Sequence, residues 1–417
     1  MTPIAQTYKR TKLACYASYF TMSSIFCLPP VLFVTFHESY GISYTLLGTL
    51  ILLNFFTQLG IDLIFTLFSK HFPVAKIVRI MPILTSLGLA LYAIIPWLFP
   101  QMAYTGLIIG TLIFSVSAGL SEVLLSPTIA AIPSDNPQRD MSMLHSLYGF
   151  GVLAMVCIST LFLKFFGTEN WMYLTLILAA LPIIPAILFM ISPFPDMSGE
   201  AAPTNKNSSK HRFWGLAICS ACIFFGSCAE NAMNSWISGY MEKVLHIDKT
   251  VGDILGMAMF AVLLGGMRIA YAKFGKNIKR ILLIGMIGAA ACYLIAGISD
   301  SMYFAFSACI FTGLFTSMLW PGTLIMMEEN VPGAGVAAFA LMAASGDLGA
   351  SVAPQLLGFV TDTVAASSYA VKMSALGISP EQLGMKTGML VCALFPIIGI
   401  VAVLLAIFHF RKKPYMQ

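Results

Sequence analysis

Residues 192–212 read SPFPDMSGEAAPTNKNSSKHR. This is the one stretch of the 417-residue chain that is rich in Pro, Ser, Asn and charge together, the composition of a flexible connector. What surrounds it is apolar. The chain is 58% hydrophobic and 10% charged, against about 25% charged residues in an average soluble domain, so its solvent has to be the bilayer. Working outward from the connector, apolar runs of membrane-crossing length, about 20 residues, fall near 13–36, 45–69, 77–99, 103–132, 141–165 and 171–193 on one side. On the other side they fall near 213–241, 250–272, 281–299, 302–327, 335–362 and 387–410. The expected architecture is an all-α integral membrane protein of about twelve transmembrane helices. It has a six-helix bundle over 1–193, a cytoplasmic linker over 194–212 and a second, pseudo-symmetric six-helix bundle over 213–417.

Charge sets the orientation. Seventeen Lys and Arg residues lie at the termini and in the even-numbered loops, five lie on the opposite side, and Arg268 lies within a helix. By the positive-inside rule both termini are cytoplasmic. No cleavable signal peptide is expected, because the apolar run after Lys9, Arg10 and Lys12 is too long for a signal core. The net charge of +5 sits in short clusters between spans, which excludes a nucleic-acid stripe. All nine cysteines fall in apolar runs and read as small packing residues; Cys219-x-x-Cys222 has no partner pair nearby for a metal. Asn207-Ser208-Ser209 matches the N-glycosylation pattern but is idle on the cytoplasmic side. Ser379-Pro380-Glu381 is expected to open a short surface helix in the external loop 363–386.

The halves resemble each other locally. Gly60-Ile-Asp62 precedes Lys70 with the spacing that separates Gly266-Met-Arg268 from Lys276. Both stretches lead into a basic loop between the second and third helix of their half, as an internal repeat would.

A charge at the bilayer centre costs about 2.5–3.5 kcal/mol on insertion scales, so deep ionisable residues mark cavities or pathways. Glu122 lies in helix 4, five residues before Pro127; Glu230 lies in helix 7 with Asn231, Asn234 and Trp236 following. Pro29-Pro30 is expected to interrupt helix 1, and Trp320-Pro321-Gly322 falls in helix 10. Helices 1, 4, 7 and 10 are those that nested three-helix repeats place around one central cavity. An acid that is neutral in one state and releases its proton in another couples a proton to a solute; the same carboxylate can instead accept bonds from solute hydroxyls. Trp236 and Trp320 offer flat faces for a sugar, or pack, or form an interfacial belt. Asn54, Gln58 and Asp62 form a polar stripe on helix 2 that suggests a wet surface. Arg268 either snorkels to the cytoplasmic side or serves the cavity; Asp347, among small residues, suits a hinge or a contact between halves. His145, at the start of helix 5, reads equally as a solvated residue or a ligand.

These residues carry a family resemblance. Gly119-Leu-Ser-Glu122, His145-x3-Gly149-x-Gly151, Glu230-x5-Trp236, Pro321 and Gly346-Asp-Leu-Gly349-x4-Pro354-x3-Gly358-x3-Asp362 resemble the major facilitator superfamily, and within it the fucose permease group of sugar:proton symporters. The resemblance implies the major facilitator fold, a helix 4 acid at Glu122 for proton coupling and sugar recognition, and a helix 7 signature at Glu230 and Trp236. Helix 1 carries no acid here, and the helix 2–3 loop, Ser69 to Lys76, has no acid–Arg pair. The expected function is alternating-access, proton-coupled uptake of a monosaccharide or small glycoside, by a monomer in a cell inner membrane, with solute, protons and lipid as partners and no cofactor. Proton-driven efflux of an amphipathic molecule is the second reading, favoured by 25 Met and 31 Phe; a non-transporting solute sensor is the third. With no HExxH, GxSxG or other nucleophile–base spacing, enzyme chemistry is not expected.

Overall fold

The structure is a computed structural model. It describes residues 8–68, 72–134, 137–195, 209–331 and 336–411; the side chains of some helical residues, Pro127 and His145 among them, also lie outside the described set. Of the described residues 89% are helical, and none is in a strand. In the bilayer core every backbone polar group has to be paired within its own segment, and a helix does this.

The first six spans are α1 (Lys9–Tyr40), α2 (Tyr44–Phe68), α3 (Val74–Leu98), α4 (Ala103–Ala131), α5 (Pro137–Phe166) and α6, in two pieces, Trp171–Ala180 and Ile183–Met190. The second six are α7 (Ser209–Lys243), α8 (Lys249–Phe274), α9 (Ile278–Ile298), α10 in two pieces (Met302–Thr316 and Leu319–Asn330), α11 (Val336–Ala365) and α12 in two pieces (Pro380–Cys392 and Leu394–Arg411). Eleven of the described helical stretches are long and apolar enough to cross a membrane. The remaining one, α11, is 30 residues long, ample for a core of about 30 Å at about 1.5 Å per residue.

The chain divides into two compact units, Met1–Ile42 with Leu53–Glu200, and Ser43–Leu52 with Ala201–Gln417. In the first, Tyr19, Phe65, Met81, Leu124, Leu125 and Phe189 form the core. Lipid gives helices no hydrophobic reason to associate, so close approach of small residues does the work. A Cβ on Gly88 would stand 2.6 Å from Phe114 N, and one on Gly110 would stand 2.7 Å from Tyr92 Cα, so α3 and α4 meet backbone to backbone. The second unit has a methionine-rich core of Met286, Met318, Met326, Met327 and Met342 around Cys219, Cys222, Leu282 and Phe410. Apolar side chains such as Leu67, Phe165, Ile298 and Phe408 are exposed, as a lipid-facing periphery requires.

Three expectations need correction. Pro29 and Pro30 do not interrupt α1, which is continuous through both. Packing overrides the lost bonds: Gly151 of α5 lies so close that a Cβ there would stand 2.5 Å from Phe20 O, and that contact holds the axis. Ser379 does cap a helix, accepting from Gln382 N–H, but that helix is the start of α12; the short helix of the 363–386 loop is Ser368–Ser374. The stripe of Asn54, Gln58 and Asp62 is buried, at 7%, 1% and 6% exposure, because it faces α4 rather than water.

α8 opens irregularly. Asp248 caps it by accepting from Thr250 and Val251 N–H, and Gly252–Ala258 forms a π-helical turn. Met241 Sδ packs against Gly256, where a Cβ would stand only 2.1 Å away.

Candidate functional site

In the first unit, α2 and α4 run side by side in register. Ser115 Oγ donates to Asn54 Oδ1 at 2.6 Å, and Gln58 Nε2 donates to the same Oδ1 at 3.1 Å. A turn further on, Gly119 lets the backbones close, since a Cβ there would stand 3.1 Å from Gln58 Cα and 3.0 Å from Ile61 Cβ. One turn further on, Asp62 of α2 and Glu122 of α4 lie within electrostatic range of each other. Asp62 is buried and Glu122 partly so. An amide ladder therefore leads toward two acids, and the glycine at position 119 lets the two helices approach there.

In the second unit an acid meets a base. Arg268 of α8 reaches across to two helices: Nε–H donates to Ser317 O of α10 at 2.9 Å, and Nη2 lies 3.5 Å from Glu230 Oε1 of α7. The side chains are 39% and 19% exposed. Arg268 therefore points to its neighbours and does not snorkel. Asn231 Nδ2 donates to Ser227 O and Oγ at 3.1 and 3.2 Å, so it continues the polar face of Glu230; Asn234 is half-buried on the same helix.

The two tryptophans are seated differently. Trp236 is 1% exposed, its Nε1–H donates to Pro354 O at 3.0 Å, and Tyr44 meets its ring edge-to-face at 5.6 Å. Trp320 is half-buried, with its ring over Gly346, where a Cβ would stand 2.3 Å away. The spaced residues of α11 thus have physical roles on one helix. Gly346 admits Trp320, Gly349 admits Phe224 O (2.3 Å from a Cβ), Pro354 O receives Trp236, and Gly358 lies against Tyr44 and Trp236. Asp362 accepts from Tyr44 N–H at 3.2 Å and from Thr45 N–H and Oγ1–H, both at 2.5 Å, which caps the first turn of α2. Asp347, 3% exposed, is buried on this helix. The described geometry brings Asn54, Gln58, Asp62 and Glu122 together, and separately Glu230, Asn231 and Arg268.

Asp253 is a site residue that the sequence reading did not weigh. It is fully buried in the π turn, accepts from Ser238 Oγ and has Lys249 Nζ 3.8 Å away; Lys249 also lies 3.6 Å from Glu242. An acid inside an apolar run was the available signal. Ser115, Ser227 and Ser317 left no such trace, because a serine in a membrane helix ordinarily bonds its own backbone.

The sequence pattern of the Major Facilitator Superfamily matches residues 14–354. The chain belongs to the Major Facilitator Superfamily. It is a multi-pass membrane transporter of small-molecule solutes and not an enzyme. Among solved structures, superfamily folds similar to this chain include a bacterial homolog of the human lysosomal transporter Spinster (TM-score 0.75, 14% identity, covering 100% of this chain and 99% of that one). A D-xylose–proton symporter aligns with TM-score 0.73 at 13% identity over 94% and 97% of the two chains. The E. coli fucose:proton symporter aligns with TM-score 0.59 at 14% identity over 96% and 99%. At these identities the likeness concerns the fold. No curated protein matches the chain.

Proposed function

We propose that this transporter takes up a monosaccharide or small glycoside together with protons by alternating access. The observation that carries the reading is the carboxyl pair of Asp62 and Glu122 at the end of the Asn54–Ser115–Gln58 ladder. Two carboxylates within electrostatic range of each other repel, so a proton taken up there relieves the repulsion and one released restores it. The neighbouring amides supply donors and acceptors suited to hydroxyl groups. In the second unit Glu230, Asn231 and Arg268 form a polar cluster, with Asn234 and Trp320 as further candidates; Asp347 and Pro321 belong to helices that change packing during the cycle. His145 retains its sequence-based candidacy as a ligand. The protein works as a monomer in a cell inner membrane with both termini cytoplasmic, the orientation that the Lys and Arg distribution favours.

The test is proton-coupled current and uptake in liposomes with a panel of hexoses, deoxyhexoses and glycosides. A saturable current for one sugar, abolished by Glu122→Gln while solute exchange persists, is the expected result. Silence across the panel from folded, inserted protein would overturn the sugar reading and favour efflux of an amphipathic compound.

A further inference from the structure

Pro321 explains where Arg268 points. In an unbroken helix the N–H of residue 321 bonds the carbonyl of residue 317; proline has no N–H to give. α10 opens at this place, its first piece ending at Thr316 and its second starting at Leu319. Gly322 N–H goes to Met318 O at 2.8 Å, so the backbone pattern resumes one residue later. The Ser317 carbonyl is left to an outside donor, and Arg268 Nε–H takes it at 2.9 Å. Anchored at Nε, the planar guanidinium is fixed in direction: Nη2 falls 3.5 Å from Glu230 Oε1, a loose contact, and the side chain keeps 39% of its surface open. Ser317 and Glu230 occupy two of its five N–H donors; the others have no protein acceptor among the described residues.

A cation at membrane depth costs more than the one hydrogen bond it supplies to a carbonyl, so satisfying Ser317 does not by itself account for Arg268. We infer that Pro321 and Arg268 act as one unit, in which the missing amide of Pro321 aims the guanidinium so that its free edge binds a pair of oxygen acceptors on the solute. The planar fork matches two oxygens at once, as vicinal hydroxyls or a carboxylate present them. Arg268 is the binding residue and Pro321 the positioning residue. The solute half of the inference rests on the proposed transport of an oxygen-rich sugar; the anchoring half does not.

Two measurements separate them. Thermal unfolding of the purified full chain is compared for wild type, Arg268→Ala, Pro321→Ala and the double variant. With proline present, Arg268→Ala strands the Ser317 carbonyl and lowers Tm; with alanine at 321 the new N–H bonds Ser317, and the same substitution is expected to lose at least half of its effect. Equal shifts in both backgrounds overturn the anchor. In liposomes, with L-fucose and D-glucuronate as probes, Pro321→Ala is expected to raise KM about tenfold, the size of one good hydrogen-bonded contact to a charged group, at an unchanged maximal rate. A rise for glucuronate alone assigns a carboxylate; a rise for both assigns vicinal hydroxyls. Arg268→Lys, which keeps the charge and lacks the fork, is expected to do the same and serves if Pro321→Ala does not fold. An unchanged KM for a transported probe overturns the binding role. If wild type transports neither probe, the sugar reading and the solute half fall together, and the thermal cycle still decides the anchor.

Discussion

Asp62 in α2 and Arg268 in α8 hold corresponding positions in the two halves by the spacing of Gly60-x-Asp62 and Gly266-x-Arg268 before their basic loops, yet they carry opposite charge. In the first unit the result is an acid beside an acid, Asp62 with Glu122. In the second it is a base beside an acid, Arg268 with Glu230. In the function proposed above, the first arrangement changes its charge by gaining or losing a proton, and the second keeps its charges and trades partners. On that proposal one scaffold position serves coupling in one half and recognition in the other, and the residue type decides which.

The largest expected effect comes from erasing the difference. Asp62→Lys makes the first unit an acid–base pair. Under an inward gradient of one pH unit, one proton per solute supports about tenfold accumulation, since one pH unit is about 1.36 kcal/mol. Accumulation is expected to vanish in Asp62→Lys, and a flux assay still showing pH-driven concentration breaks the assignment. Next is the converse: Glu230→Gln and Arg268→Ala each leave a charge unpaired, at about 3–5 kcal/mol for a fully buried pair and less here because Arg268 is 39% exposed. The double variant is expected to recover the part of that loss due to the unpaired charge and to keep the part due to the stranded Ser317 carbonyl in thermal unfolding.

Close approach gives a smaller, sharper contrast. Gly349→Ala drives a Cβ to 2.3 Å from Phe224 O, whereas Gly119→Ala meets Gln58 and Ile61 at 3.0–3.1 Å. Overpacking costs about 1–3 kcal/mol, so Gly349→Ala is expected at the upper end and Gly119→Ala at or below the lower. Similar Tm losses would show that α4 cannot yield beside α2. The smallest effect belongs to Asp300→Asn. Its pair with Lys386, at 2.9 Å, joins a fully exposed carboxylate, and exposed pairs contribute little; Tm and transport are expected to stay as they are.

Much of this was legible in the chain. Span length and the isolation of Glu122 and Glu230 are local properties of composition, which a bilayer reads directly. The shared spacing of Asp62 and Arg268 was visible because spacing along a helix is local too. What pairs with what was not. Ser317 meets Arg268 across 49 residues, and Asp362 caps Thr45 across 317; such contacts depend on how whole helices pack. Pro29 and Pro30 misled for the same reason, since local bond loss was outweighed by the fit of Gly151 on α1. Burial of Asn54, Gln58 and Asp62 escaped because a polar stripe looks alike whether it faces water or another polar stripe.

The π turn of α8 has a consequence for register. Ser43 and Asp248 each accept the first helical bond of their span, from Leu47 and Gly252; Asp62 follows 19 residues after Ser43, and Arg268 follows 20 after Asp248. α8 therefore holds one more residue before Arg268 than α2 holds before Asp62, and a turn of wider pitch accommodates one. Without the turn, that residue would rotate everything after it by about 100° and swing position 268 off Glu230 and Ser317. Removing one residue within Gly252–Ala258 should give a regular helix that still delivers Arg268 to its partners, whereas the same deletion after Ala258 should not.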